Sequence, residues 1–482
     1  MAIKTTTKQG RPLRLRNNVP LSLRPVLRAY FLGYLSSTAP RVLTLLLTHL
    51  SRRNKDVEGK DSKFLSSLLG ILRGGLELQR FPTFCAALVG GATFLQARDS
   101  KSVEKDVLHI EILTYHRLTR WISTFIAAWF SLSLLQTKKS DAFIDYVPEE
   151  TSTGIVHRPV QFAGRTMDLT LFAVTRAIDV IVGELWAQRK IKQKASGKRL
   201  KFENLISSLA DPSVFAASCA LIMWAFIYTP SRLPRSYNKW IKTAAQVDQR
   251  LLLALQRTRW GEIQYGVETG QAHLLSSMAT DYNLPASYGD PVLSIPYPCE
   301  LVHMGTGKSC EYHALSRWLR SFTWAFSTYL PLNLLLALRK RSKPAFLKAL
   351  FSSLRSSAFL GTFIATYYYG ICLARTRLGP RLLGTTTSAY QRLDQGLCVA
   401  SGCMLCGWSV LLEPSGRRKE LGLFVVPRAL ATLFPRRYKW ENRDRERMAF
   451  AVSVAVVFCA VVERPERVRG VFGRVLGGVL RG

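Results

Sequence analysis

Four side chains of the metal-binding types lie close together in the stretch Cys299-xxx-His303-x6-Cys310-xx-His313. Thiolate sulfur and imidazole nitrogen are the ligands that hold zinc tetrahedrally. The spacing leaves three readings open for Cys299, His303, Cys310 and His313: ordinary loop residues, a Cys299–Cys310 disulfide, or a metal site. Cys403-xx-Cys406 reads differently. It lies inside an apolar segment, without the βαβ setting of a thioredoxin-like pair, so packing is the expectation. Gly305-Thr306-Gly307-Lys308-Ser309 lacks the first glycine of a phosphate loop, Val302 standing in its place, and no strand precedes it. No nucleophile elbow or acyltransferase pair was found, so neither enzymatic activity nor a cofactor is expected.

A second set of chemically active residues comprises charges inside apolar runs: Arg73, Glu77, Arg176, Asp179, Arg355 and Arg428. A charge at the centre of a membrane helix costs about 2.5–3.5 kcal/mol on insertion scales, so each calls for a partner or a purpose. Glu77 stands four residues after Arg73, and Asp179 three after Arg176, which are spacings for helical ion pairs. The structural reading is ion pairing or snorkelling at the membrane edge. The functional reading is a polar pathway or headgroup site. Gly70, Gly74, Gly75, Gly90 and Gly91 are expected to form a close-packing helix seam, because small residues let backbones approach within a membrane.

The elements that must position these residues are apolar runs. Tyr30–Leu50, Phe64–Gln96, Trp121–Leu135, Leu169–Trp186 and Val214–Thr229 approach the length needed to cross about 30 Å of hydrocarbon. Residues 232–298 form a more polar linker. Trp240, Ile241, Ala244, Val247, Leu251, Leu252 and Leu255 recur there at helical spacing, as in an amphipathic surface or packed helix, and 283–298 is proline-rich loop. After the Cys/His loop (299–314), Phe322–Leu338 is a charge-free run of 17 residues containing Pro331.

The pattern then repeats. Pro40 matches Pro331, Phe64-Leu65 matches Phe346-Leu347, and Leu72-Arg73 matches Leu354-Arg355. Tyr115-His116-Arg117-Leu118 matches Tyr390-Gln391-Arg392-Leu393, Leu169-Thr170-Leu171-Phe172 with Arg176-Ala177 matches Leu421-Gly422-Leu423-Phe424 with Arg428-Ala429, and Phe215-Ala216 matches Phe450-Ala451. The offsets fall steadily from 291 to 235, so the order is kept and the second copy has shorter loops. The expected fold is all-α and multi-pass, with two homologous copies of about five helices each, at 30–231 and 315–466. Five spans per copy would invert one copy against the other, as in many secondary transporters, and four would leave them parallel. A basic tail (1–29) precedes the first copy, and a basic tail with an amphipathic pattern (467–482) follows the second.

Composition agrees with a membrane setting. The 482 residues are 48% hydrophobic and 21% charged, with 67 Lys+Arg against 32 Asp+Glu, a net charge of +35. The basic residues flank apolar runs, which points to a bilayer with anionic headgroups as partner and away from nucleic acid. The nine cysteines lie mostly inside apolar runs and do not form a disulfide framework.

The Cys299…His303…Cys310 loop, Tyr329-Leu330-Pro331-Leu332 and the basic Arg339-Lys340-Arg341 together resemble the cysteine-containing N-terminal region of the transmembrane protein 135 family. The resemblance covers roughly residues 299–380 and departs from the family in its Cys-to-His spacing and long basic loops. The glycine seam and the Arg-Ala element are similar to a translocase-type helical fold linked to that family and to small peroxisomal membrane proteins. The resemblance implies a multi-pass protein of the peroxisomal or mitochondrial membrane, tied to lipid metabolism and organelle maintenance, with other organelle-membrane proteins as possible partners. It implies no catalytic residues. Two alternatives are a solute or lipid carrier with its site between the copies, and a subunit of a protein-insertion complex. The Cys/His loop has no counterpart in the first copy, so copy-specific function is expected there first.

Overall fold

A computed structural model of the chain describes residues 20, 22–51, 60–102, 112–138, 140, 143–151, 154–195, 201–338 and 342–481. In chain order the elements are α1 (Arg24–Ser51), α2 (Lys60–Gly75), α3 (Phe81–Ser102), α4 (Ile112–Gln136), β1 (Ile144–Thr151), β2 (Gly154–Gln161), α5 (Met167–Ala195) and α6 (Lys201–Tyr228). The linker holds α7 (Arg235–Ala245), α8 (Gln249–Trp260) and α9 (Ala272–Asp281). Then follow the single turn α10 (Cys299–Val302), α11 (Cys310–Leu338), α12 (Lys343–Leu373), α13 (Gly379–Leu383), α14 (Thr387–Arg392) and α15 (Cys398–Cys406). The chain closes with α16 (Ser415–Leu433), α17 (Arg443–Glu463) and α18 (Gly470–Arg481).

Five of the described helices are long and apolar enough to cross a membrane: Thr114–Gln136, Leu205–Tyr228, Cys310–Leu338, Lys343–Leu383 and Thr387–Leu412. Two expected short runs, Trp121–Leu135 and Val214–Thr229, thus sit inside longer helices. The expected single run Phe64–Gln96 is instead two helices. Gly74-Gly75 closes α2, and Pro82 sits in the first turn of α3, where its missing N–H is harmless. Beside the expected helices stands one pair of strands. β1 and β2 pair antiparallel, from Ile144 opposite Gln161 to Thr151 opposite Gly154. The amphipathic linker helix is broken as well. Gln246 closes α7 in the left-handed region (φ 46°), and Asp248 caps α8 by accepting from the Arg250 N–H at 2.8 Å.

The chain forms two compact units. Met1–Lys198 with Arg437–Gly482 make up the first. In it α1 lies on α2 and α3, α4 packs on α3 and α17, and α17 also lies on α5. Its core includes Phe84, Ala128, Leu132, Phe450 and Val461. The second unit is Arg199–Arg436. There α11 lies on α12, α12 on α15, and α6 on both α15 and α16. Ile241, Ala244, Leu251 and Leu252 of the linker helices are buried in its core. These units do not divide the chain at the expected copy boundaries: α6 and α17, each the expected fifth helix of one copy, belong to the unit that holds the other four of the opposite copy.

Candidate functional site

The Cys/His loop wraps back on itself in the second unit. Met304 (φ 52°), Gly305 (φ 75°) and Gly307 (φ 104°) adopt left-handed backbone conformations that fold the segment between α10 and α11 tightly. This brings Cys299, His303 and Cys310 together, with their ligand atoms all within 4.8 Å of one another. His313 does not join them. Its buried ring stacks on His303, centroids 4.4 Å apart, and also meets the edge of Tyr368. Cys372, buried near the end of α12, comes in instead, with its Sγ 3.3 Å from His303 Nε2. The Cys372 thiol, hydrogen-bonded to Cys299, holds the Cys299 thiol down at about 6 against the opposing pull of burial, with Arg375 adding to the effect. All nine cysteines are free thiols. Cys403 and Cys406 are buried in the core, as their apolar setting predicts.

One turn beyond Cys372, α12 passes into a π-helical stretch, Ala374–Leu378, and a second one, Leu393–Leu397, lies between α14 and α15. Such π-bulges turn single side chains off the regular helical face. Here they aim Arg375 and Asp394 at each other. The pair is bidentate, at 2.7 and 2.8 Å, and each side chain is only 7% exposed. The Tyr265 hydroxyl donates to the same carboxylate, and Arg375 also donates to the Tyr297 carbonyl at 3.1 Å. Burial, with Asp394 beside it, pushes the Tyr265 phenol well above its usual range and keeps it a donor. Sequence reasoning missed this pair. Its only signal was an Arg and an Asp 19 residues apart, each among other polar residues such as Arg377 and Arg392.

In the first unit, α1, α3, α5, α17 and α18 line an open apolar cavity of about 450 Å³, with Leu32, Phe84, Leu88, Phe172, Phe458 and Leu476 among its walls. Arg176 reaches its wall and is buried. Its Nη1 donates to the Arg469 carbonyl at 3.2 Å, and its guanidinium lies over Phe172 (5.1 Å) and Phe472 (5.3 Å). Asp179 lies 3.6 Å from Arg469. In the second unit Arg428 lies over Phe424 at 3.7 Å, the same cation–π contact one helical turn back. Arg355 is exposed on α12. Arg73 is exposed in the last turn of α2, and the expected Arg73–Glu77 helical pair is replaced: Glu77 lies in the turn after α2 and pairs with Arg80 (2.9 Å) and Lys138. Those two bases hold the Glu77 carboxyl at about 2.

The glycine seam is narrower than expected. A Cβ on Gly91 would stand 2.8 Å from Ala127 Cβ, one on Gly75 2.7 Å from Thr38, and one on Gly90 3.3 Å from Val26. Gly70 faces open space and Gly74 has nothing closer than 3.8 Å, so these two are not part of the seam. The basic tail 1–19, Arg339-Lys340-Arg341 and most of 51–63 lie outside the described residues. The C-terminal tail forms α18, with Leu476 and Val479 buried but Val471 and Val475 exposed. No protein-family model, curated protein or solved structure matches the chain.

Proposed function

We propose that this chain is a non-enzymatic, multi-pass membrane protein that holds an anionic lipid in the cavity of its first unit. The carrying observation is a buried guanidinium, Arg176, in the wall of a 450 Å³ space lined mostly by Leu, Val, Phe and Ala side chains. Ligand pockets of this kind are mostly apolar, with a few placed polar groups. An acyl chain matches the apolar wall, and a phosphate or carboxylate headgroup matches the positive charge of Arg176. The net charge of +35 suits the same anionic surface. The five membrane-length helices support the multi-pass reading.

The two-copy reading gains support from the packing succession. In the first unit α1 lies on α3, α3 on α4 and α4 on α17, which also lies on α5; in the second α11 lies on α12, α12 on α15 and α15 on α6, which also lies on α16. Phe172–Arg176 and Phe424–Arg428 repeat one contact on the two fourth helices. The offset of 235 that aligns Phe215 with Phe450 also aligns Asp211 with Glu446. Under that reading the cavity is walled by α1, α3 and α5 from one copy and α17 from the other. We place the protein in the peroxisomal or mitochondrial membrane, in lipid handling or organelle maintenance. The test is native mass spectrometry of the detergent-purified full chain with added phosphatidic acid. One bound lipid is expected, reduced at least tenfold in Arg176→Gln but not in Arg355→Gln. Equal binding by all three proteins would overturn the site. Confinement of a tagged chain to another membrane would overturn the location.

A further inference from the structure

We propose that Cys299, His303, Cys310 and Cys372 form a closed four-ligand site for a zinc ion in the second unit. The geometry comes first. With Zn–S about 2.3 Å and Zn–N about 2.0–2.1 Å, a tetrahedral site spaces its ligand atoms roughly 3.3–3.8 Å apart. Cys372 Sγ stands 3.3 Å from His303 Nε2, and the atoms of Cys299, His303 and Cys310 fall within 4.8 Å of one another. Closing the shell takes an inward movement of the loop toward Cys372. The set is three sulfurs and one nitrogen, a ligand combination of structural zinc.

The imidazole is already set for the task. His303 Nδ1 lies 2.7 Å from the Gly307 carbonyl, which can only accept, so Nδ1 carries the proton. Nε2 is therefore a bare lone pair facing the thiols. A backbone carbonyl behind the far ring nitrogen is the usual support of a metal-ligating histidine. His303 is fully buried, so this orientation is held by packing as well.

The charge of the loaded site follows from its ligands. Binding Zn²⁺ displaces to solvent whatever protons the three thiols still hold and leaves three thiolates, a neutral imidazole and the dication, a net charge of −1. Arg375 lies one turn beyond Cys372, and its buried Nη1 has no hydrogen-bond partner among the described residues. Its positive charge acts on the Cys299 sulfur, although Asp394 is its direct partner. With four protein ligands no position is left for water or substrate, so the ion is structural. It clasps the α10 turn and the start of α11 to α12.

The experiment uses the full chain, purified in detergent under reducing conditions, with metal measured by inductively coupled plasma mass spectrometry. One zinc per chain is expected. Cys372→Ser and Cys299→Ser should lose it, and His313→Ala and Cys403→Ser should keep it. A wild-type protein without stoichiometric zinc, or a Cys372→Ser protein that keeps it, overturns the proposal, as does loss of zinc in His313→Ala. Should the cysteine variants fail to fold, cobalt substitution of the wild type decides. A tetrahedral cobalt spectrum with charge-transfer intensity for three thiolates is expected, and intensity for two or none refutes the ligand set.

Discussion

Replacing Asp394 with alanine tests the buried pair between the two π-helical stretches. Arg375 and Asp394 are each 7% exposed and joined by bonds of 2.7 and 2.8 Å. The substitution leaves the guanidinium buried without its counter-charge and the Tyr265 hydroxyl without its acceptor. Removing one partner of a buried ion pair costs about 3–5 kcal/mol, because the remaining charge is desolvated and unpaired. For a body the size of residues 199–436, about 2–4 °C of melting temperature per kcal/mol translates this into a fall of about 6–20 °C. Intrinsic tryptophan fluorescence of the detergent-solubilised protein during heating reads the shift. The double variant Arg375→Met with Asp394→Leu removes both charges and should recover at least half of the loss. A fall below about 2 °C for Asp394→Ala, less than 1 kcal/mol, would refute the reasoning. So would a double variant no more stable than the single one.

Gly91→Val should destabilise the first unit by about 1–3 kcal/mol through overpacking against Ala127, while Gly70→Val, facing open space, should stay within about 0.5 kcal/mol; thermal melts compare the two. Asp248→Ala should lower stability by about 1 kcal/mol through loss of the α8 cap, and Asp248→Asn should restore most of it in the same melts. Arg250 holds the Asp248 carboxyl below its ordinary value, so the ionised cap's contribution is complete above about pH 4 and fades as pH falls through the lower folded value. A melting profile for the wild type that falls no faster below pH 4 than that of Asp248→Asn would contradict this. Cysteine labelling of intact organelles at positions in 189–201 and 436–447 should report both segments from opposite sides of the membrane for inverted copies, and from one side for parallel ones.

Much of the helical framework was legible because long apolar runs leave few alternatives. Phe322–Leu338 lies within α11, and Pro331 is accommodated inside it. Cys299, His303 and Cys310 were visible as a group because a stretch of 12 residues holds all three. Cys372 was not, since it reads as one more small apolar residue of a buried helix and meets the loop only through the packing of α12. Arg375 and Asp394 escaped notice for the same reason. The hairpin was hidden by Pro148, Glu149 and Glu150, which depress strand propensity, although alternate residues still pair across it. The break between α2 and α3 was passed over because hydropathy continues across Leu76 and Leu78, while the backbone follows Gly75 and Pro82. The expected ion pair of Arg73 with Glu77 failed with that helix.

The discontinuity of the first unit has a consequence for how the protein is made. α5 ends at Ala195, and α17, which lies against it, begins at Arg443. At about 5–20 residues per second, the ribosome needs roughly 12–50 s to add the intervening 250 or so residues. Throughout that interval the faces of α4 and α5 that will receive α17 lack their partner. A stop codon anywhere before α17 therefore removes more than a tail. It leaves an upstream body, complete in sequence up to Lys198, that has no means of closing its own core.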